Sequence, residues 1–418
     1  MIFSPLVSLL LLARGSNALA PRQYLPHAVQ PPTFQTAASA EGDNWSVKEQ
    51  DDSVCAAGSR HFAGRINVTD DKSMFFWFFE SRNEEPRNDP VVIWLNGGPG
   101  ASSLTGLYTE VGPCFINPDG QGTTKSGASW TEHANVLFID QPAGVGLSTL
   151  ANETEYPHNL ATSSRDFLAL LKIFYSEIFP QHDHNGLYIA GESYGGRFAP
   201  YYSAAILREQ LEGSAGALQH VPLKGMVLVN AMVGSTWTSQ GHYEMFCTDV
   251  PPNLVRFNDT TCRAMAAALP ECERLSALCT TGLEPRVCEA AGMFCMENIY
   301  KYFDAEVQAH RRSTYDLRKD CPDPPLCGVG QNSSYGETSD FLNRRDVQKQ
   351  LGFEQPIDFI SINFDINMRF SLDPQIWVPT TPEVTYLLNG GVTGPAGQVD
   401  LNRSVSVLVL NGEYDVGW

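Results

Sequence analysis

Short apolar runs along the chain are separated by longer segments in which apolar residues recur at helical spacing. The short runs are bounded by Gly, Pro and Asn, and most lack strict alternation, as expected for strands that are covered on both faces. The pattern predicts six such strands, at Met74–Glu80, Val91–Asn96, Asn135–Asp140, Leu187–Gly191, Gly225–Asn230 and Ser406–Asn411.

Two intervening segments predict helices, at Thr162–Phe179 and at Gly196–Glu212. The first opens on Thr and Ser, which can cap a helix N-terminus. Strands that alternate with helices predict a doubly wound α/β sheet. Residues 21–50 differ, because they are rich in Pro, Ala and Gln and have no apolar period. They predict a pro-segment or a loose arm.

The pattern changes again from residue 237 to residue 346, where polar and helix-prone stretches carry most of the cysteines. We interpret this region as an inserted, disulfide-rich cap between the fifth and sixth predicted strands, which divides the core into residues 51–236 and 347–418. Eight of the ten cysteines lie in it, at positions 247, 262, 272, 279, 288, 295, 321 and 327.

Several features predict export through the secretory pathway. Residues 1–20 contain an apolar run followed by small residues, which is typical of a signal peptide, and the run is too short to span a bilayer. The cysteine content agrees with an oxidising compartment. N-glycosylation sequons occur at Asn44, Asn67, Asn152, Asn258, Asn332 and Asn402. We therefore expect a secreted or vacuolar glycoprotein.

Charge and motifs exclude other classes of function. The formal net charge of -19 disfavours a nucleic-acid partner, which needs clustered Lys and Arg. No phosphate-binding loop or dinucleotide fingerprint occurs, so we expect no cofactor. The HDH stretch at residues 182–184 resembles part of a metal site but has no third ligand in evidence, so we expect no metal. Oligomeric state is left open.

The strand LYIAG continues directly into GESYGG, Gly191–Gly196, and then into a predicted helix. This is G-x-S-x-G in a strand-to-helix turn, which exposes the serine at the top of a sheet. Ser193 is therefore the candidate nucleophile. The backbone amide of Tyr194 lies at the helix N-terminus, where it can donate to a developing oxyanion.

A glycine-rich loop, NGGPG, begins at Asn96 directly after the second predicted strand. In hydrolases of the α/β type, the loop after an earlier strand supplies the second oxyanion donor. The amide of Gly98 is the candidate donor.

Four motifs together resemble the serine carboxypeptidase family, in a fungal form: WLNGGPGASSLTGLYTEVGP, FIDQPAGVGLS, GESYGGRFAP and NGEYD. The resemblance implies an α/β-hydrolase fold and the removal of single residues from peptide C-termini. It also implies that Ser193 is the nucleophile, that Asp415 is the triad acid, and that Asn96, Glu110 and Glu192 bind the substrate's terminal carboxylate.

The implied carboxylate site agrees with acid–base chemistry. Glu110 and Glu192, if brought together, cannot both ionise cheaply, so one should stay protonated to higher pH. A protonated carboxyl can donate a hydrogen bond to the substrate's carboxylate, and raising the pH removes that donor.

Disulfide pairings are also implied by the resemblance, since eight cysteines alone allow 105 connectivities. Many members of the family have a cysteine pair where this chain has Ala101 and Ile362, so one bridge is expected to be lost. Cys55 and Cys114 would then pair with each other. The implied pairs are Cys55–Cys114, Cys247–Cys262, Cys272–Cys295, Cys279–Cys288 and Cys321–Cys327.

The general base presents a difficulty. In α/β-hydrolases the triad histidine follows the acid, but all nine histidines of this sequence precede Asp415. His310, within the predicted cap, is a poor substitute. We therefore expect low activity from this chain, with the last strand and helix of the fold missing, and interpret it as an incomplete gene model. The alternatives are a truncated, non-catalytic peptide-binding protein, or an esterase or acyltransferase on the same fold.

Overall fold

The structure is a computed structural model that describes residues 34–39, 42–213, 216–234, 238–251, 254, 256–303, 305, 312–321, 327, 333–392 and 399–416. The predicted signal peptide, the sequon at Asn332 and His310 lie outside these residues. Strands in the described part are β1 (Phe34–Ser39), β2 (Gly42–Gln50), β3 (His61–Thr69), β4 (Lys72–Phe79), β5 (Val91–Leu95), β6 (Cys114–Ile116), β7 (Thr123–Lys125), β8 (Asn135–Ile139), β9 (Thr149–Leu150), β10 (Leu187–Glu192), β11 (Leu223–Val229) and β12 (Ser406–Leu410).

A mixed sheet of ten strands organises the described residues, in the order β1-β2-β3-β4-β8-β5-β10-β11-β12, with β9 beside β4. Neighbours within the row β1-β2-β3-β4-β8 pair antiparallel. Neighbours within the row β8-β5-β10-β11-β12 pair parallel. The six predicted strands are confirmed as β4, β5, β8, β10, β11 and β12. The carboxyl ends of the parallel strands meet at one edge of the sheet, where ligand sites of open α/β sheets are built.

Strand β4 explains why the apolar runs lack alternation. Phe76 and Phe78 pack into one hydrophobic core, and Phe75, Trp77 and Phe79 pack into a second core on the opposite face. Both faces are covered, so both sets of positions must be apolar.

Helices cover both faces of the sheet. Phe167 of α2 and Phe198 of α3 belong to the first core, and Leu104 of α1 and Phe341 of α7 belong to the second. The described helices are α1 (Ser103–Thr109), α2 (Leu160–Ile173), α3 (Gly195–Glu212), α4 (Thr238–Tyr243), α5 (Asp259–Gly282), α6 (Pro285–Cys295), α7 (Ser334–Leu342), α8 (Arg345–Gln350), α9 (Phe364–Leu372) and α10 (Thr381–Leu388).

Helix α2 begins two residues before its predicted start. Asn159 is the N-cap, and its side-chain oxygen accepts from the amide of Thr162 at 3.0 Å. The backbone amide of Asn159 in turn donates to the Thr162 hydroxyl, which completes a capping box. The predicted capping residues thus lie inside the helix. A π-helical turn, Phe174–Ile178, completes the predicted segment.

The prediction of a loose arm over residues 21–50 is wrong where the structure describes it, because β1 and β2 extend the sheet at its antiparallel edge. Trp45 and Val47 of β2 alternate inward and are 8% and 6% exposed. Two alternating apolar residues are too short a period to detect in sequence. The long-range pairing with β3 supplies the stabilisation that local pattern does not.

The cysteine-rich insertion carries α4, α5 and α6 and has its own core, in which Met265, Ile299 and Phe303 are fully buried. Five disulfides are formed, and they are the pairs that the family resemblance implies: Cys55–Cys114, Cys247–Cys262, Cys272–Cys295, Cys279–Cys288 and Cys321–Cys327.

Strand β12 forms the other edge of the sheet among the described residues, and its Leu408, Val409 and Leu410 are 52%, 60% and 43% exposed in turn. Of the helices that the structure describes, none combines the length and the apolar character needed to cross a membrane.

Candidate active site

Ser193 stands at the turn between β10 and α3, with a backbone φ of +82°. This left-handed conformation is strained for a serine and is typical of a nucleophile held out of the sheet. The turn is fixed from β11: the Ser193 amide donates to Val229 O at 3.1 Å, and the Met232 amide donates to Ser193 O at 2.8 Å. The strand-to-helix context that the sequence predicted is therefore present.

The glycine-rich loop after β5 lies directly against this turn. A Cβ atom placed on Gly97 would lie 2.5 Å from Tyr194 N and 2.8 Å from Ser193 Cβ, so only glycine allows this approach. Gly98 follows with φ of +101°. The two predicted oxyanion donors, the amides of Gly98 and Tyr194, thus belong to segments that are in contact beside Ser193.

Asp140 fixes the same loop from the end of β8, a role that the sequence reasoning did not identify. Its carboxylate accepts from Ser102 Oγ at 2.5 Å, from the Ser103 amide at 3.1 Å and from the Leu147 amide at 2.8 Å. Burial raises the pKa of Asp140 to about 6, against the opposing effect of these hydrogen bonds. The signal in sequence was FIDQPAGVGLS, where the acid directly follows a strand.

Asn96, Glu110 and Glu192 are brought together by the ends of β5, α1 and β10. The Asn96 side-chain amide donates to Glu110 Oε1 at 3.2 Å and to Glu192 Oε2 at 3.0 Å. Its carbonyl oxygen accepts from Trp94 Nε1 at 2.7 Å, which fixes the orientation of the amide. One side-chain amide therefore bridges two acids, and one of them, Glu192, immediately precedes Ser193 in the chain.

The pKa values of both glutamates are raised. Burial and then the negative charge of Glu110 raise the pKa of Glu192 above its ordinary range. Burial also raises the pKa of Glu110, against the hydrogen bond from Asn96. Glu110 is exposed on one side, whereas Glu192 is half-buried. We therefore assign the protonated carboxyl to Glu192.

Asp415 lies in the loop after β12, which is the neighbour of β11 in the sheet. The side-chain amide of Asn230, at the end of β11, donates to Asp415 Oδ2 at 2.5 Å. The sequence reasoning did not identify Asn230, although it ends a predicted strand as Asn96 does.

Two tyrosines of the cap region approach the acids, and neither was identified from the sequence. Burial and then the charges of Glu192 and Glu110 raise the pKa of Tyr335. Burial and then the charges of Glu192 and Asp415 raise the pKa of Tyr315.

A cavity of about 390 Å³ adjoins the turn at Ser193, and its walls are largely apolar. Met232, whose amide bonds the Ser193 carbonyl, contributes to the wall. Tyr300 and Tyr315 of the insertion and Trp377 of the core are among the other lining residues, so the cavity lies between the core and the insertion.

The buried histidines of the described residues take part in other contacts. His61 accepts from Trp77 Nε1 at 3.0 Å, and burial lowers its pKa to about 3. His182 packs edge-on against Phe78, and burial lowers its pKa to about 4. His242 Nε2 lies 3.0 Å from Val416 O. The described residues contain no group of three or more His, Cys, Asp or Glu that could hold a metal ion.

A mixed α/β sheet with a serine at a strand-to-helix turn, a glycine-rich loop against that turn and an acid after the last strand defines an α/β-hydrolase fold. The structure of Kex1(Δ)p, a prohormone-processing carboxypeptidase from Saccharomyces cerevisiae, aligns over 88% of this chain and 78% of its own with a TM-score of 0.66, at 21% identity. This likeness supports the fold.

Sequence comparison identifies the family. A profile described as serine carboxypeptidase matches residues 53–415. A carboxypeptidase Y homolog A from Botryotinia fuckeliana is 36% identical over 302 residues, 72% of this chain and 51% of the relative. A homolog A from Neurospora crassa is 34% identical over 330 residues, 78% of this chain and 55% of the relative. The chain belongs to the serine carboxypeptidase family, and it spans about half the length of these curated relatives.

Proposed function

We propose that this protein is a serine carboxypeptidase, which releases the C-terminal residue of a peptide through an acyl-enzyme on Ser193. Ser193 Oγ attacks the carbonyl carbon of the last peptide bond, and its proton passes to a general base. The C–N bond breaks, the terminal amino acid leaves with a proton on its amine, and water then hydrolyses the ester.

The remaining roles follow from position. The amides of Gly98 and Tyr194 stabilise the oxyanion, and Asp415 serves as the acid that orients the base. Asn96, Glu110 and Glu192 hold the substrate's terminal carboxylate, with the proton on Glu192 donating to it. The apolar cavity beside Met232 accommodates an apolar or aromatic substrate side chain.

The observation that carries this proposal is the single amide of Asn96 bridging Glu110 and Glu192 beside the nucleophile. An enzyme that acts on neutral esters has no charged terminal group for this pair to recognise, although bringing two acids together still raises the free energy. For a peptide with a free carboxylate, the shared proton is a recognition element.

Binding and hydrolysis need separate tests, because a peptide-binding protein would show the first without the second. The substrate is a benzyloxycarbonyl-protected dipeptide at pH 5, compared with the same dipeptide as its C-terminal amide. Calorimetry measures binding, and chromatography measures the released amino acid. The control is Ser193→Ala, which should bind but not hydrolyse.

Hydrolysis of the free acid at least tenfold faster than of the amide would support the full proposal. Selective binding of the acid without hydrolysis would favour the second candidate, a peptide-binding protein. Equal binding of acid and amide, with hydrolysis of simple p-nitrophenyl esters, would favour an esterase or acyltransferase and overturn the carboxypeptidase assignment.

We also propose passage through the secretory pathway, to a secreted or vacuolar location. Five sequon asparagines in the described residues are exposed, namely Asn44, Asn67, Asn152, Asn258 and Asn402. Accessible sequons and five disulfides support this route. A mobility shift on treatment with an endoglycosidase would test it.

A further inference from the structure

A recess of about 910 Å³ lies at the antiparallel edge of the sheet, away from Ser193. Its floor is formed by β2, β3 and β4, and its wall by α8 with the loop that follows. The volume is within the range of small-ligand cavities, which is about 300–1,000 Å³. The proposed carboxypeptidase reaction does not use it.

Four cationic side chains from three elements line this basic recess. Lys48 comes from β2, Arg65 from β3, and Arg345 and Lys349 from α8. Glu354 is the one acidic side chain of the lining. This arrangement is unusual in a protein whose net charge is -19, with 28 basic residues against 47 acidic ones.

The cations are not neutralised by close partners. Among the described residues, none of the four forms an ion pair within 4 Å, whereas most other arginines of these residues do. Glu354 acts on Arg65 only through a longer-range attraction. Burial lowers the pKa of Lys48; the attraction of Asp51 opposes this change, and a smaller repulsion from Lys349 adds to it.

Two of the four side chains are held in place. The Arg65 guanidinium lies 4.7 Å from the centre of the Phe353 ring, and Phe353 is itself 4% exposed. Lys48 Nζ donates to Gln350 O at 2.8 Å. Positive groups that are ordered before binding lose less conformational entropy when an anion arrives.

We propose that the basic recess binds a compact ligand that carries several phosphate groups. Arginine forks match phosphate geometry, and lysines add point charges. A compact ligand is favoured over a long polyanion, because a chain leaving the recess would meet the acidic remainder of the surface. At physiological salt, charge effects extend only about 8 Å, so the local positive charge governs a small ligand.

Calorimetry with inorganic tripolyphosphate tests this proposal on the full chain, in 50 mM and 150 mM NaCl. The paired charge reversal Arg345→Glu with Lys349→Glu replaces two exposed cations and leaves the side chains of Arg65 and Lys48 in place. The matched control is Arg263→Glu with Lys224→Glu, which changes the net charge equally at exposed sites outside the recess. Because Asn67 lines the recess, each measurement is made before and after removal of N-glycans.

We expect one site, with affinity at least tenfold weaker in the recess variant, within about twofold of wild type in the control, and weaker at higher salt. Orthophosphate should bind at least tenfold more weakly than tripolyphosphate. Binding that is absent with and without glycans, or that weakens equally in both variants, would overturn the proposal. Equal affinity for orthophosphate would overturn the requirement for several phosphate groups.

Discussion

The side-chain amide of Asn230 donates a hydrogen bond to Asp415 Oδ2 at 2.5 Å. The two residues are 185 positions apart in the chain, and they follow β11 and β12, which are adjacent parallel strands. Asn230 has a backbone φ of +43°, a left-handed conformation that asparagine tolerates better than most residues. Asparagine thus suits both the left-handed backbone at this turn and the hydrogen bond to the Asp415 carboxylate.

Replacing Asn230 by alanine should destabilise the protein by about 1–2 kcal/mol, because a partly buried hydrogen bond to a carboxylate is lost. Asn230→Asp should cost more at pH 7 than at pH 3.5, since two carboxylates would then face each other. Urea denaturation at both pH values measures these differences. Asn83→Ala provides the control, because Asn83 donates to Asp89 at the surface. A loss as large in the control would contradict a special role for the Asn230 bond.

Glu192→Gln should stabilise the protein increasingly as the pH rises. The pKa of Glu192 is raised in the folded protein, so the folded state binds more protons than the unfolded state above about pH 4.5. Wild-type stability therefore falls as the pH rises above about 4.5, and the neutral glutamine avoids this loss. With allowance for partial solvent contact, the gain at pH 8 should be on the order of 1 kcal/mol, and near zero at pH 4.

Urea denaturation between pH 4 and pH 8 tests this difference, and Glu273→Gln on the exposed side of α5 is the control. Glu110→Gln combined with Glu192→Gln should gain less than the sum of the single changes, because either one removes the repulsion. Additive effects would show that the two acids do not interact.

Ala101 and Ile362 form an isolated antiparallel bridge between the glycine-rich loop after β5 and the segment before α9. The Ser102 amide donates to Ser361 O at 2.9 Å and the Asn363 amide to Gly100 O at 2.8 Å, which makes Ala101 and Ile362 a non-hydrogen-bonded pair. Cα atoms of such pairs are about 4.5 Å apart, within the range that a disulfide spans.

Cysteines at both positions, Ala101→Cys with Ile362→Cys, should therefore form a sixth disulfide, and stability should rise by about 2–4 kcal/mol. Peptide mapping without reductant identifies the bond, and urea denaturation measures the gain. Each single substitution, and the double variant under reductant, serve as controls. If the two thiols stayed free under oxidising conditions, the bridge geometry would be wrong.

The parts of the fold with strong local signals could be predicted from the sequence. The strands of the core are short apolar runs because both of their faces are buried, as β4 illustrates. The turn at Ser193 could be predicted because its close backbone contacts require glycines, and those glycines form a pattern that is visible in the sequence. The pairing of Ala101 with Ile362 was indicated by family resemblance alone, since no local pattern reports a contact across 261 residues.

The remaining features depend on long-range contacts. β2 is a strand because it pairs with β3, not because its sequence prefers an extended conformation. Asn230, Tyr315 and Tyr335 enter the site only when the sheet and the cap come together. Asp140 was quoted within a motif, but its three donors come from segments on either side of it in the fold.

The loop after β12 that carries Asp415, called the acid loop here, is held by contacts with the cap. The Val416 amide donates to Thr314 O at 3.0 Å, and the Leu317 amide donates to Tyr414 O at 3.1 Å. Val416 is 4% exposed within the cap's hydrophobic core. His242 Nε2, which must carry a proton to bond a carbonyl, donates to Val416 O at 3.0 Å. These contacts connect the position of Asp415 to the integrity of the insertion.

His242→Phe should loosen this loop while keeping the ring contacts to Tyr300 and Phe303. We expect a loss of about 1 kcal/mol in global stability, from one hydrogen bond, and faster amide exchange confined to residues 412–416. Hydrogen exchange followed by mass spectrometry measures the change. His182→Phe is the control, since His182 is also buried among aromatic rings but makes no described contact with this loop. Unchanged protection of residues 412–416 in His242→Phe, or equal loss in both variants, would mean that the cap does not hold the acid loop through His242.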